Sequence, residues 1–525
     1  MKTKNCISGI LLSFLSLCIT AQDFEVSASL YPWDVHDEGI ELMLDNLTSM
    51  SGVNSVYLIS VMHQEHRPFY GPSSSGPWLY PHNPARREWW AEDSRAYFHP
   101  QMDLYGRIKP ILSSFPWLSK TDWLKVVVDA ARKRGLKVGA EVSHTFLPRD
   151  ILVNLPEYTQ QELRKPEYQQ NNHPYAGRRM LPCINNPEVR EYLLALYYDL
   201  AKNYDIDFVQ TCMYTFMGDD VQSGTCFCEN CQKEAKAMGF DLTSAIQILK
   251  DNPDAQPQLQ QWLDFRIAST TKIYKMIIDK MREVKPKIDF RINDLNNRSA
   301  GLHLEDLRGY ITSVHMSTHT EQNGIERTDR ESRIRTARYF MPDASIIPGI
   351  PVRILTTPEI VRSSIKRSVE SGANGIALKH YDGASYSLLR AVRNGLNEAG
   401  IKGFNQIVGI EAEAMKLTNY DPDTYIIEKC VMTKNTGSAS YIFPHPSGTY
   451  DFVISYADEK NGKGSLTLSV GGKQVANLIL NEDVDCWRRK TFPGITVKKG
   501  DEIKIAGVAD KGEAARVDFI EFIKK

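Results

Sequence analysis

From residue 23 to about residue 401 short β-branched runs alternate with amphipathic stripes, and that alternation constrains the fold more than any other feature of the chain. Eight runs read as strands, at 26–31, 55–61, 137–142, 208–213, 289–292, 313–316, 345–350 and 375–379. Between them Ile40, Met43, Leu44 and Leu47 fall at i, i+3, i+4 and i+7, and Leu388, Leu389, Val392 and Leu396 mark another stripe, as helices that pack on a sheet require. ARKRGLKVGAEV and SVESGANGIALK each place a glycine between the end of a helix and the next strand, where the chain must leave the helix in a left-handed turn. Eight such units close into a (β/α)8 TIM barrel over 22–403, with its chemistry on the loops after the C-terminal ends of the strands.

At 525 residues the chain exceeds what one core supports. After Gly403 the texture changes to short alternating strands with NG and GG turns, as in GTYDFVISYADEKNGKGSLTLSVGGKQVANLIL, so 404–525 reads as an all-β sandwich. A net charge of −1 without long runs of one sign argues against nucleic acid or an anionic membrane as partner. Residues 1–21 have the form of an export signal: Lys2 and Lys4, an apolar run from Ile7 to Ile19, and Ala21 as a small residue at the cut. A lipid anchor on Cys18 would want a small residue before it, and Leu17 stands there, so soluble export to the periplasm or cell surface is favoured. No later apolar run reaches the ~18–20 residues that span a bilayer.

The sequence runs IEAEAMKL, SGTYDFVISYAD, LTLSVGGKQV, the lone Trp487, KKGDEIKIAG and RVDFIEF occur in an order and spacing that resembles the family 6 and family 35 carbohydrate-binding modules over 410–522. The resemblance implies a jelly-roll sandwich that binds sugar and holds a structural calcium, with Glu411, Glu413 and Asp518 as ligands; carboxylates are the hard oxygen donors that calcium takes. The alternative is that these acids simply face solvent. Trp487 either stacks on a sugar ring or packs in the core, and the core is favoured. Cys430 and Cys486 are the two cysteines of this domain and could pair in an oxidising compartment.

GTCFCENCQKE puts Cys226, Cys228 and Cys231 within six residues, a density suited to one tetrahedral zinc, with Cys183 as fourth ligand ahead of Cys212. Disulfides are the rival. The segment resembles the family 42 glycoside hydrolases and related barrel hydrolases, in which such a stretch after strand four and an upstream cysteine complete a structural zinc site. Where that family carries its acid/base glutamate this chain has Tyr214 and Thr215, and strand seven, SIIPGIPVRI, has no carboxylate, so the resemblance does not carry over the catalytic pair.

Glycoside hydrolysis needs two carboxyl groups, one to protonate the leaving oxygen and one to attack or activate water. Acids at catalytic-face positions are Glu65, Glu141, Asp219, Asp220, Asp294, Glu321 and Asp382; Asp220 with Asp294 is the preferred pair, Asp382 the first substitute and Glu141 a further candidate. Each could instead cap a helix or make an Asx turn. His63, His66, His144, His315, His319 and His380 gather at the same strand ends, a set suited to sugar hydroxyls, and Arg291, Asn293 and Tyr214 join them as candidate substrate contacts. Six tryptophans precede residue 125, among them Trp33, Trp78, Trp89, Trp90 and Trp117, and Trp89 and Trp90 lie in a long polar stretch that could form a platform for a glycan; Trp123 reads as a helix core residue. The sequence therefore points to an exported glycoside hydrolase that needs no catalytic cofactor, acts on a poly- or oligosaccharide and carries an appended sugar-binding module. Its rivals are a non-catalytic glycan-binding protein on a barrel scaffold and a metal-assisted lyase or hydrolase.

Overall fold

A computed structural model describes residues 24–61, 95–143, 147, 151–152, 155–161, 163, 181–211, 213, 215–216, 218, 221, 224–292, 301–316, 330–352, 356–379, 381, 384–404, 408–460 and 462–525. The eight expected strands are present as β1 (Glu25–Leu30), β2 (Ser55–Val61), β3 (Lys137–Val142), β4 (Phe208–Thr211), β5 (Asp289–Ile292), β6 (Ser313–Met316), β7 (Ser345–Pro351) and β8 (Gly375–Lys379). All are parallel to their neighbours, and β8 pairs with β1, so the sheet closes into a barrel. The helix Ile40–Ser51 buries Met43, Leu44 and Leu47, and Tyr386–Glu398 buries Leu388, Leu389, Val392 and Leu396, as their spacing requires. Gly135 and Gly372 leave their helices at φ 68° and 99°. Trp123 is buried on the helix Trp123–Lys133.

Polar residues plug the N-terminal end of the barrel. Arg291 projects from β5 back to the first residues of β1 and β5: its terminal nitrogens donate to Glu25 at 2.6 and 2.9 Å, and Nε donates to Asp289 at 3.1 Å. Lys137, the first residue of β3, adds a 2.9 Å bond to Glu25. The expectation that Arg291 contacts substrate is therefore corrected. Its guanidinium is fully buried, committed to two carboxylates and stacked 3.6 Å from the centre of the Phe208 ring. Gly139 leaves room for that ring, since a Cβ there would lie 2.3 Å from it.

The second domain packs two antiparallel sheets. One has the order β10 (Lys416–Thr418), β13 (Thr436–Ile442), β18 (Glu502–Val508), β15 (Ser465–Val470), β16 (Lys473–Ile479). The other runs β11 (Asp421–Tyr425), β12 (Glu428–Thr433), β19 (Ala515–Lys524), β14 (Gly448–Asp458), β17 (Cys486–Val497), with β9 (Val408–Glu411) also on β19. Their facing sides form a core that includes Val431, Phe452, Ile454, Leu466, Ile505, Ile520 and Phe522. The outer side of the second sheet is also covered. Cys430, Ala457, Trp487 and Phe519 join the barrel core, which is why residues 515–522 of β19 are buried without alternation. Trp487 is fully buried and donates from Nε1 to the Tyr425 carbonyl at 2.8 Å, the core role favoured for it. Cys430 and Cys486 are free thiols, so the disulfide offered for them is not formed. No described helix is long and apolar enough to cross a membrane.

Candidate active site and metal centre

The C-terminal half of the barrel interior carries a chain of polar side chains. Glu141, next to last on β3, is 3% exposed and accepts a 2.5 Å bond from Nε2 of Gln210 on β4. Lys379, the last residue of β8, donates to the Tyr57 hydroxyl at 2.8 Å, with its ammonium over the same ring. The His315 ring of β6 meets the Tyr57 ring edge-on, with centroids 5.7 Å apart. Burial, helped by the charges of Lys379 and Arg291, holds the His315 imidazole well below its ordinary range, so the ring is neutral at pH 7. Neither of its nitrogens has a hydrogen-bond partner among the described residues, and neither has Oε1 of Gln210. A neutral imidazole offers one donor and one acceptor, and the amide oxygen adds a second acceptor, so hydroxyl groups are natural ligands.

Glu141 is the one expected catalytic acid that falls within the described residues. Glu65, Asp219, Asp220, Asp294, Glu321 and Asp382 lie outside them, as do His63, His66, His144, His319, His380, Asn293, Tyr214, Trp78, Trp89 and Trp90. Trp33 is buried, stacked 4.5 Å from Tyr31, and Trp117 packs on His36. Tyr57, Gln210 and Lys379 were not singled out from sequence. The available signal was their chemistry: a polar side chain inside a parallel strand covered on both faces needs a reason to be there.

The four cysteines converge. Cys183 precedes the helix Pro187–Asn203, Cys226 follows the loop after β4, and Cys228 and Cys231 flank and enter the helix Glu229–Ala237. Cys183 Sγ lies 3.5 Å from the Cys228 and Cys231 sulfurs and 3.9 Å from that of Cys226, and all four sulfurs are buried within 4.8 Å of one another. A disulfide closes to about 2.05 Å. Four thiolates at ~2.3 Å from one zinc would stand ~3.8 Å apart, so the sulfurs fit zinc and not a pair of disulfides. The backbone N–H of Gln161 donates to Cys226 at 3.3 Å and the Asn185 amide to Cys231 at 3.4 Å, the outer contacts that orient thiolates.

Residues 118–321, from before β3 to just past β6, match the family model described as Glycosyl hydrolase-like 10. The barrel is glycoside hydrolase-like. A segment of the chain is 34% identical over 153 residues to the "Probable alpha-glucuronidase A" of Aspergillus terreus, covering 24% of this chain and 18% of that one. The alpha-glucuronidase A of Aspergillus tubingensis is 33% identical over 135 residues, covering 21% and 16%. The chain thus spans less than a fifth of the length of these relatives. Among solved structures, a β-galactosidase from Bacillus circulans sp. alkalophilus is 12% identical with a TM-score of 0.43, covering 71% of this chain and 55% of that one. A CBM36 carbohydrate-binding module solved with calcium and xylotriose is 29% identical with a TM-score of 0.19, covering 22% and 98%.

The acids assigned to calcium are arranged differently from the thiols. Among the described residues the cysteines are the only group whose ligand atoms converge closely enough for a metal, and Glu411, Glu413 and Asp518 form no such group. Glu411 accepts from Arg390 at 2.7 Å, and Asp518 accepts from Ser455 at 3.2 Å.

Proposed function

We propose that the chain is an exported glycoside hydrolase that cleaves a poly- or oligosaccharide with a pair of carboxylates at the C-terminal end of the barrel. The observation that carries this reading is the buried polar cluster of Glu141, Gln210, His315, Tyr57 and Lys379 inside a glycoside hydrolase-like barrel. Glu141, oriented by the Gln210 amide, is one carboxyl of the pair; Asp220, Asp294 and Asp382 supply the candidates for the other. One carboxyl delivers a proton to the leaving glycosidic oxygen while the other attacks the anomeric carbon or deprotonates water. The neutral His315 ring and Gln210 hold sugar hydroxyls. The alpha-glucuronidase relatives make uronic-acid-bearing oligosaccharides the first substrates to try.

Glu141→Gln keeps the shape and the Gln210 neighbour but removes the ionisable group, and is expected to lower kcat by at least ~10²-fold. It should be measured on a glycan panel beside Asp220→Asn, Asp294→Asn and Asp382→Asn, with two of the four expected to show the large loss. Unaltered turnover in all four overturns the carboxylate assignment. A wild-type chain that binds glycans and cleaves none supports the non-catalytic reading, and activity lost in chelator with metal-dependent recovery supports the metal-assisted one. The same proposal includes a structural zinc on Cys183, Cys226, Cys228 and Cys231, sugar binding by the sandwich, and cleavage after Ala21, for which the N-terminus of the exported protein should read Gln22.

A further inference from the structure

The acidic pocket at the root of the sandwich already contains cations that come from the barrel. Arg390, on the barrel helix Tyr386–Glu398, donates from one terminal nitrogen to Glu411 at 2.7 Å and from Nε to Glu521 at 3.1 Å. Its guanidinium lies 4.1 Å from the centre of the Phe519 ring. Arg393, one turn on, donates to the same Glu521 oxygen at 3.0 Å and to the Ser49 carbonyl at 2.6 Å. Glu521, Phe519 and Asp518 all project from β19 on the side away from the sandwich core, and Glu411 sits opposite Phe519 on β9. Glu521 is 1% exposed and Arg393 4%, so these charges are removed from water together. Asp518 is buried beside Glu428, Glu411 and Glu413, with Arg390 the cation facing it.

We infer that Arg390, with Arg393 behind it, takes the place of a structural calcium in this sandwich, so that the acidic pocket fastens the module to the barrel and needs no metal. Arg390 meets Glu411 and Glu521 with a geometry that a spherical ion cannot supply, because its planar fork bridges the two carboxylates and stacks on Phe519, while Arg393 shares the Glu521 oxygen. Fastening continues across the joint. Glu428 of β12 accepts from the backbone N–H of Ser387, at the start of the same barrel helix, at 3.1 Å. Arg489 of β17 donates to Asn46 at 3.2 Å and Ser49 at 3.0 Å. The module is thus a fixed part of the barrel wall, with its Trp487 face closed, and any sugar it binds must meet its rim or its other sheet.

The test uses the full chain, with calcium ion as the probe. The thermal midpoint of the wild type is expected to be the same in calcium chloride and in EGTA. Arg390→Ala is expected to lower it by roughly 5 °C in EGTA, and millimolar calcium should restore part of that loss by entering the vacated pocket. A wild-type midpoint that rises with calcium, with the response abolished by Glu413→Gln, overturns the inference. A wild-type response that survives Glu413→Gln places the calcium elsewhere and leaves the inference standing. If Arg390→Ala does not fold, the wild-type and Glu413→Gln measurements still decide the matter.

Discussion

Serine in place of Cys231 is expected to yield a chain that binds no zinc and melts roughly 10 °C below the wild type. The wild type should carry one zinc per chain after dialysis, and under denaturing conditions without reductant Cys183, Cys226, Cys228 and Cys231 should all titrate as thiols once the metal is chelated. The effect is large because the site ties three segments together at one buried point: the loop after β4, the helix Glu229–Ala237 and the chain before the helix Pro187–Asn203. Without the metal, burial holds the Cys226 and Cys231 thiols well above their ordinary range while bonds from the neighbouring thiols pull Cys228 down, and sulfur-to-sulfur contacts alone are weak in a buried centre. The surroundings are built to bear on it. Phe227 stacks on Trp262 with centroids 5.5 Å apart, and the Arg266 guanidinium lies over the Trp262 ring at 4.4 Å from its centre. Disappearance of thiols in unreduced protein, with no zinc and no change in melting for Cys231→Ser, would show disulfides instead.

The residues that set the architecture were legible for a simple reason. Strand and helix periodicities are local, and the stop glycines Gly135 and Gly372 act within a few residues of where they stand. The cysteines were legible because thiols at that spacing have few uses. What escaped was polar chemistry whose partner is far along the chain. Arg291 and Glu25 are 266 residues apart, and nothing in FRIND distinguishes an arginine that points down into the barrel from one that points up toward a substrate. Likewise Arg390 reads as one more solvent-facing charge on an amphipathic helix until β19 is laid against it. Glu411 then changes meaning, because an acid that a metal could use and an acid that an arginine uses look the same in sequence. Tyr57, Gln210 and His315 show the converse: each is polar within an otherwise apolar run, and the structure gathers them with Glu141 and Lys379 into one polar cluster.

Replacing Arg291 with methionine should destabilise the barrel by about 3–5 kcal/mol, the cost of leaving buried carboxylates without their partner. Thr312 and Ser313 each donate to Asp289 at 2.6 Å, so that acid keeps neutral partners, whereas Glu25 would retain only Lys137. The double replacement Glu25→Leu with Arg291→Met should cost much less than Arg291→Met alone, because removing both charges also removes their desolvation. Acid provides an independent check. Burial alone would raise the Glu25 carboxyl, but the attraction and hydrogen bonds of Arg291, then Lys137, outweigh it and bring it down to about 2. A carboxyl depressed from 4.5 stabilises the fold fully above its unfolded value, by about 3 kcal/mol, and that contribution is lost as pH falls from 4.5 through 2. Wild type should therefore lose stability across that window, and the gap between it and Arg291→Met should narrow, because the variant's Glu25 accepts a proton more readily. Melting midpoints of the two chains at pH 7 and pH 3 measure this directly, and a gap that stays constant would mean that Arg291 holds the barrel floor by packing on Phe208 and not by charge.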